Sequence, residues 1–215
     1  LKNSGLVEAG VPLELGGGGA SIATLADMLR VLGHHCSSTA LAFSMHTHQV
    51  AIPAWRWSTQ KVAAVEPLLK RIAAERIILL SSGGSDWIAG SGRAEKVEGG
   101  YRLSGHWSWS SGVEHCEWIF LGGLLPRKDG SGALEHCTFL LPKSDYKVVH
   151  NFDVLGLRAT ASHDIVVDNA FVPEHRTQRT NDHSDAGCPG RATNPGWLYR
   201  IPSTQLSQRP ASSAR

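Results

Sequence analysis

The segment 106–112 carries residue types that suit the binding of a flat ring. It reads His106, Trp107, Ser108, Trp109, Ser110, Ser111 and Gly112. Two indoles supply an apolar wall, the hydroxyls supply hydrogen-bond donors, and a glycine lets the backbone approach a ligand closely. The pattern is typical of a site for a planar heteroaromatic ligand, and equally of an aromatic strand that ends in an ordinary Ser-Ser-Gly turn.

His46 and His48 are candidate catalytic residues in a stretch with helical periodicity. Residues two apart on a helix point about 200° away from each other, so the two imidazoles cannot share one metal ion. Two roles remain open. Either each ring is hydrogen-bonded inside a helical layer, or one of them faces a substrate.

Other motifs do not support metal or nucleotide binding. The His-Cys pairs at 115–116 and 136–137 have no second pair at the spacing of a tetrahedral zinc site, so we expect no metal. The glycine run 16–19 lacks the lysine of a phosphate-binding loop, and the glycines at 83, 84, 90 and 92 lack the βαβ context of a dinucleotide fingerprint.

The elements that must hold these residues are helices first and strands afterwards. Apolar spacing predicts one helix from Ser21, as its N-cap, to Gly33, a second from Ser38 or Thr39 to about Pro53, and a third over 59–76. Short β-rich runs punctuated by Ser and Gly then occupy 77–80, 100–110, 118–124, 136–141, 146–150 and 165–172. Strands at that spacing predict an antiparallel barrel or sandwich.

Composition excludes several classes of protein. The chain has 215 residues, 41% hydrophobic and 19% charged, with a formal charge of +2, which is ordinary for a globular protein and gives no basic face for nucleic acid. The apolar runs are shorter than a membrane span, and four dispersed cysteines indicate reduced thiols in the cytoplasm. Core-like residues follow directly on Leu1 without a Met, so we expect a fragment that begins inside a domain.

Three segments in order resemble the acyl-CoA dehydrogenase superfamily. They are residues 1–51, 79–112 and 151–176, and the most specific motif reads G-L-R-A-T-A-S-H-D-I-V-V, followed by F-V-P-E-H-R. The resemblance implies an α+β fold, with an N-terminal helical domain over 1–76 and an antiparallel β-barrel middle domain over 77–177. Residues 178–215 would form a polar linker or tail that enters the family's C-terminal four-helix bundle, which is absent from this chain.

The barrel motif departs from the dehydrogenases in the direction of the reduced-flavin-dependent monooxygenases of the same superfamily. Ser108 replaces an aromatic residue, and the Ser-Gly step at 111–112 is followed by His115 and Trp118, as is common in those monooxygenases. The resemblance therefore implies an oxygenase component that hydroxylates a phenolic or polycyclic substrate with O2. It would use reduced FAD or FMN supplied by a separate flavin reductase.

The sequence leaves two alternatives open. One is an FAD-dependent acyl-CoA dehydrogenase, whose catalytic carboxylate would lie outside this chain. The other is a truncated, non-catalytic remnant, and we expect the fragment itself to be inactive.

The resemblance also implies the site residues. Ser110 would contact the flavin N5 or carbonyl region, Trp109 would stack on the ring, and His46 or His48 would polarise the substrate hydroxyl. The remaining cofactor-binding residues would be Ser81, Ser82, Gly83, Ser85, Ser111, Gly112 and Arg158. We further expect a small-molecule substrate, no nucleic-acid or membrane partner, and a tetramer for the full-length form.

Overall fold

The computed structural model shows, over the residues it describes, three α-helices and an eight-stranded sheet whose strands follow them. It describes residues 1–82, 86, 90–127 and 130–179. Helix α1 spans Ile22–His35, α2 spans Ser37–Gln60 and α3 spans Glu66–Glu75. The Ser21 hydroxyl caps α1 as predicted, because it accepts a hydrogen bond from the Thr24 N–H at 3.1 Å. No helix within the described ranges is long and apolar enough to cross a membrane.

Helix α2 continues past the point at which the sequence predicts its end. Pro53 lies inside it, and the helix ends only at Lys61, whose φ of 58° is left-handed. Proline inside a helix removes one hydrogen bond and costs about 3 kcal/mol, but Pro53 is buried, and that burial offsets part of the cost. The prediction of a third helix from Thr59 is therefore wrong at its start, since 59–60 belong to α2.

The sheet contains the predicted strands and two that the sequence pattern does not reveal. The strands are β1 Leu79–Ser81, β2 Gly92–Val97, β3 Gly100–Ser110, β4 Trp118–Pro126, β5 Leu134–Pro142, β6 Lys147–Val149, β7 His163–Pro173 and β8 Thr177–Arg179. Their order is β6-β7-β3-β2-β4-β5-β8, with β1 beside β4. Among these described strands five pairings are antiparallel, and β1–β4 and β2–β4 are parallel. The predicted α+β class is confirmed.

Strands β2 and β8 lack the apolar runs on which the strand predictions depend. In β2 only Gly92 and Ala94 turn to the core, while Arg93, Glu95 and Lys96 are exposed. Such a strand is recognisable only by its partner, and β2 pairs with β3 across a tight turn at Gly99.

Two hydrophobic clusters form the core. The sheet cluster joins the inner faces of β2, β3, β4, β5 and β7, and its largest buried side chain is Trp107. The helical cluster joins the N-terminal segment, α2 and α3 with the start of β1. Ile78 packs against both clusters, immediately before β1. The proposed boundary between residues 76 and 77 falls between α3 and β1, and the division into two domains there stays a prediction.

Candidate functional site

The end of β3 contains a β-bulge that determines where its side chains point. Trp107 pairs with Ile165 and Ser110 pairs with His163, so Ser108 and Trp109 together face the single residue Asp164. Trp109 has a φ of 60°, a left-handed conformation that is uncommon for a bulky side chain. The bulge turns its side chain outward, with 66% of the residue exposed.

The two tryptophans therefore have different roles, one in the core and one at the surface, and they do not form a single apolar wall. Trp107 is fully buried, and its Nε1–H donates to the Gly122 carbonyl oxygen at 2.8 Å. A Cβ added at Gly92 would lie 2.4 Å from Trp107 Cζ2, so the indole lies directly against that backbone. Trp107 belongs to the sheet core, and Trp109 alone is available to a ligand.

The bulge also reverses the orientation expected for Ser110. Without it, alternation would turn Trp109 inward and Ser110 outward. Instead Ser110 is fully buried on the same face as Trp107, and its Oγ has no hydrogen-bond partner. A ligand atom can reach this hydroxyl only if a neighbouring group moves. Its role in contacting a flavin stays a prediction.

Ser111 presents the partly exposed hydroxyl of this strand end. Its Oγ lies 2.8 Å from Ser162 Oγ, which lies 2.7 Å from Thr160 Oγ1. Gly112, with a φ of 77°, donates its N–H to the Thr160 carbonyl oxygen at 2.7 Å. The chain of hydroxyls and this main-chain bond tie the strand end to the loop that carries the G-L-R-A-T-A-S motif.

Asp164 occupies the centre of the bulge. Its carboxylate accepts hydrogen bonds from the Trp109 N–H at 3.2 Å, Ser108 Oγ at 3.3 Å and His106 Nε2 at 2.7 Å. Burial acts to raise the pKa of Asp164, but hydrogen bonds from the Asn151 side chain, Trp109 and His106 outweigh it and the pKa is lowered. Asp164 is thus a buried carboxylate that stays ionised. Asp164 lies within the G-L-R-A-T-A-S-H-D-I-V-V motif, but its residue type alone predicts no role for it.

His48 is the histidine of α2 that can act on a ligand. The Ser44 carbonyl oxygen lies 2.9 Å from Nδ1 and so requires a proton there, which leaves Nε2 as an acceptor. Nε2 lies 2.9 Å from the Gln49 side-chain nitrogen and 3.4 Å from Ser81 Oγ. Burial lowers the pKa of His48, so the ring is neutral at pH 7.

His46 is held entirely by the main chain. The Leu79 N–H donates to Nδ1 at 3.0 Å, so Nε2 carries the proton and donates to the Val7 carbonyl oxygen at 2.8 Å. The side chain is buried, and burial lowers its pKa. His46 therefore joins α2 to β1 and to the N-terminal segment, which matches the role of a histidine bonded within a helical layer.

The serines at the end of β1 are enclosed. Ser81 is buried and lies near His48, whereas Ser82 donates its hydroxyl to the Asp86 carboxylate. Asp86 also accepts the Gly122 N–H at 2.7 Å and the Ser91 N–H at 2.6 Å, so it joins this segment to β4 and to the residue before β2. Gly83 and Ser85 lie outside the described residues.

Arg158 lies on the exposed side of the same motif loop. Its guanidinium is 3.7 Å from the Asp153 carboxylate, and both side chains are largely in solvent. Leu155 and Leu157, which precede it, are exposed apolar residues. The loop could therefore offer a cation and apolar contacts to a ligand.

The strand end, α2 and β1 converge at Gly112. A Cβ there would lie 3.4 Å from the Ala42 Cβ of α2 and 3.7 Å from Leu80 Cδ1 of β1. Ser81 is the next residue along β1, and His48 follows Ala42 by six residues along α2. The structure thus places Trp109–Gly112 and the His48–Ser81 pair on neighbouring elements.

One side-chain group nearby has the spacing of a metal site. Ligand atoms of Glu114, His150 and His163 lie within 4.8 Å of one another. However, the Phe152 N–H donates to His163 Nδ1 at 3.1 Å, so Nε2 carries the proton of the neutral ring. A metal ion could bind Nε2 only if this nitrogen carried no proton. The protonated Nε2 instead faces the Glu114 carboxylate at 3.9 Å.

Comparison with known proteins gives consistent matches. Residues 1–74 match the family described as Acyl-CoA dehydrogenase, N-terminal domain. The chain is 30% identical over 202 residues to the flavin-dependent monooxygenase, oxygenase subunit HsaA, of Rhodococcus jostii, covering 94% of this chain and 50% of that protein. It is 32% identical over 193 residues to the p-hydroxyphenylacetate 3-hydroxylase oxygenase component of Acinetobacter baumannii, covering 88% and 42%.

A solved structure shows the same fold. XiaF from a Streptomyces species, in complex with FADH2 and glycerol, superposes with a TM-score of 0.67 at 26% identity, covering 86% of this chain and 46% of that one. The chain therefore spans about half the length of the curated relatives it matches.

Proposed function

We propose that the chain belongs to the acyl-CoA dehydrogenase superfamily, whose N-terminal domain family matches residues 1–74, and that it serves in the oxygenase component of a two-component flavin monooxygenase. Its similarity to an oxygenase subunit extends over 202 residues, 94% of its length. That extent of similarity is the observation that carries the proposal. The reaction would be hydroxylation of a phenolic or polycyclic substrate.

The described residues fit a flavin in two respects. Trp109 offers an exposed indole, and such a ring stacks on a planar heterocycle at a gain of about 0.5–1.5 kcal/mol. Ser110 Oγ is a buried polar atom without a partner, directly beside the partly exposed Ser111 hydroxyl. When bound, a reduced flavin would contribute the chemistry that activates O2.

The protein's own groups would hold the ring and orient it. We assign stacking to Trp109 and hydrogen bonding near N5 to the Ser111 hydroxyl, with the buried Ser110 hydroxyl behind it. Gly112 allows close approach of the main chain, and Arg158 would lie near the flavin's polar end. Ser81 and Ser82 would stay in the surroundings, since both are buried.

His48 would polarise the substrate hydroxyl. Its Nε2 lone pair is fixed by the bond from Nδ1 to the Ser44 carbonyl oxygen, and burial keeps the ring neutral. A phenol that displaces the Gln49 amide would donate its hydroxyl proton to Nε2. His46 has no nitrogen free for this task, because both of its ring nitrogens bond to the main chain.

Several finer features belong to the same proposal. A flavin reductase would deliver the reduced cofactor, which accords with relatives named as oxygenase components. Either FMN or FAD would serve. A cytoplasmic location, and a tetramer for a form that includes the C-terminal bundle, complete the proposal.

The experiment joins residues 1–179 to the C-terminal half of the HsaA relative and supplies a flavin reductase, NADH, O2 and a set of phenols. We expect a hydroxylated phenol from the chimaera and none from the 215-residue chain alone. Reduction of bound oxidised FAD by an acyl-CoA would instead establish the dehydrogenase alternative. A folded chimaera that binds neither flavin would establish a non-catalytic chain.

A further inference from the structure

Asp164 lies on β7 opposite the extra residue of the β3 bulge. We propose that Asp164 is a positioning residue that fixes Trp109 in its outward, left-handed conformation and so presents the indole to the flavin. The identity of the ligand rests on the proposed function, whereas the conformational role does not.

Three donors from one short segment converge on this carboxylate. Oδ1 accepts the Trp109 N–H at 3.2 Å, and Oδ2 accepts Ser108 Oγ at 3.3 Å and His106 Nε2 at 2.7 Å. The Trp109 N–H lies at the point where the bulge interrupts the ladder, so the carboxylate replaces the missing strand partner.

The position of Asp164 is itself determined by the motif loop. Its own N–H donates to Asn151 Oδ1 at 3.1 Å, and its neighbours Ser162 and His163 bond to Ser111 Oγ and to the Phe152 N–H. Each residue of the Ser-His-Asp step therefore holds a different part of the site. The Asp164 side chain is only 9% exposed, so water competes little for its hydrogen bonds.

Without the bulge, the strand would present a different face. Trp107 and Trp109 are two residues apart, so a regular ladder would turn both indoles toward the sheet core. That core is already filled, because Trp107 lies against the backbone at Gly92 and Gly105. Loss of the Asp164 carboxylate would leave Trp109 with an unpaired N–H, a strained φ and no single orientation.

The first test measures the conformation without any flavin. Amide hydrogen exchange of Trp109 is followed in the 215-residue chain, in Asp164→Ala and in Asp164→Asn. Asp168→Ala is the matched control, because Asp168 is an exposed residue of the same strand. We expect exchange at Trp109 to become about tenfold to hundredfold faster in Asp164→Ala, with no such change at Leu121 of β4.

Asparagine retains one acceptor for the Trp109 N–H, so Asp164→Asn should restore slow exchange to within severalfold of the parent. A purely global loss of stability would speed exchange at Leu121 as well, and that result would overturn the proposal. If Asp164→Ala does not fold, Asp164→Leu, which is close to aspartate in shape but offers no acceptor to the Trp109 N–H, takes its place. Unchanged exchange at Trp109 in that variant would also overturn it.

The second test measures reduced-flavin affinity in the chimaera described above. We expect Asp164→Ala to weaken it about tenfold and Asp168→Ala to leave it unchanged. Faster exchange at Trp109 with unchanged affinity would overturn the link to the ligand and keep the conformational role. If the parent chimaera binds no flavin, the proposed function fails, and the exchange result still decides whether Asp164 positions Trp109.

Discussion

Two regions of the molecule each contain a pair of like residues that are two positions apart in the sequence. In each pair one side chain is buried and supports the fold, while the other is more exposed. His46 and His48 lie on α2, and Trp107 and Trp109 lie on β3. His46 and Trp107 are buried and bond to main-chain groups, whereas His48 and Trp109 face less enclosed surroundings. On the helix the separation follows from 3.6-residue periodicity, while on the strand it requires a bulge.

The comparison shows that one member of each pair supports the fold and the other is available to a ligand. The helical pair needs no additional device, because any two residues at that spacing diverge. The strand pair depends on Asp164 and on the loop that precedes it. Substitution of the supporting members should therefore affect stability, and substitution of the available members should affect binding.

The largest difference in the free energy of unfolding should be that between the Trp107 and Trp109 variants. Trp107→Ala removes a fully buried indole and should lower the free energy of unfolding by about 3–5 kcal/mol. Trp109→Ala should change it by less than about 1 kcal/mol, since the side chain is exposed and alanine keeps the same backbone bond. Urea denaturation of both variants measures the difference, and equal losses would show that the division within this pair is wrong.

Substitution of the buried His46 should also lower the free energy of unfolding more than substitution of His48, but the difference should be smaller than for the tryptophans. His46→Ala leaves the Leu79 N–H and the Val7 carbonyl oxygen unpaired, at about 1–3 kcal/mol for each buried group. His48→Ala loses a bond to a carbonyl oxygen within its own helix and should cost about 1 kcal/mol. Denaturation curves at pH 7.5 compare the two. A larger loss in His48→Ala would reverse the assignment.

His46 should make the stability of the fold depend on pH. Burial lowers the pKa of His46 below the unfolded value of about 6.5, so the unfolded chain takes up its proton first as the pH falls. The stability contribution is therefore complete above about pH 6.5 and declines below it, by up to about 1.4 kcal/mol per pH unit for one such group. His46→Gln should reduce the slope of unfolding free energy against pH between 6.5 and 5. An unchanged slope would mean that His46 does not titrate in this way.

The smallest effect concerns the two serines that follow the bulge. Ser110→Ala removes a buried hydroxyl without a partner and should leave stability unchanged or raise it by up to about 1 kcal/mol. Ser111→Ala breaks the bond to Ser162 and should cost about 0.5–1.5 kcal/mol. Thermal unfolding followed by circular dichroism is sensitive enough for both. A clear loss in Ser110→Ala would indicate a partner for its hydroxyl.

Local patterns predicted much of the fold. Helix α1 was predictable from Ser21 and its apolar spacing, and β3 was predicted with its observed bounds because its buried and exposed residues alternate until the bulge. Helix α2 was predicted to end too early, because the sequence reveals the helix-breaking tendency of Pro53. It does not reveal the tertiary packing that buries this residue. Strand β2 was missed because its stability comes from its neighbours.

The candidate site was only partly predictable for a related reason. The residue types of segment 106–112 indicated a binding strand, but the bulge arises from the pairing of β3 with β7, 55 residues away for Trp109 and Asp164. A one-residue shift in that pairing exchanges the faces of Trp109 and Ser110. An acidic residue directly after the Ser-His step was the available signal, and sequence spacing alone could not connect it to Trp109.

The most direct test of the account is an anaerobic titration of the 215-residue chain with reduced FMN and reduced FAD, followed by tryptophan fluorescence. The parent should bind weakly, with a Kd above about 1 μM, because the chain spans only about half the length of the flavin-dependent relatives it matches. Trp109→Ala should weaken binding by about twofold to tenfold, whereas Phe171→Ala, which removes an exposed aromatic residue elsewhere on β7, should not. Equal affinities of the parent and Trp109→Ala for both flavins would contradict the account.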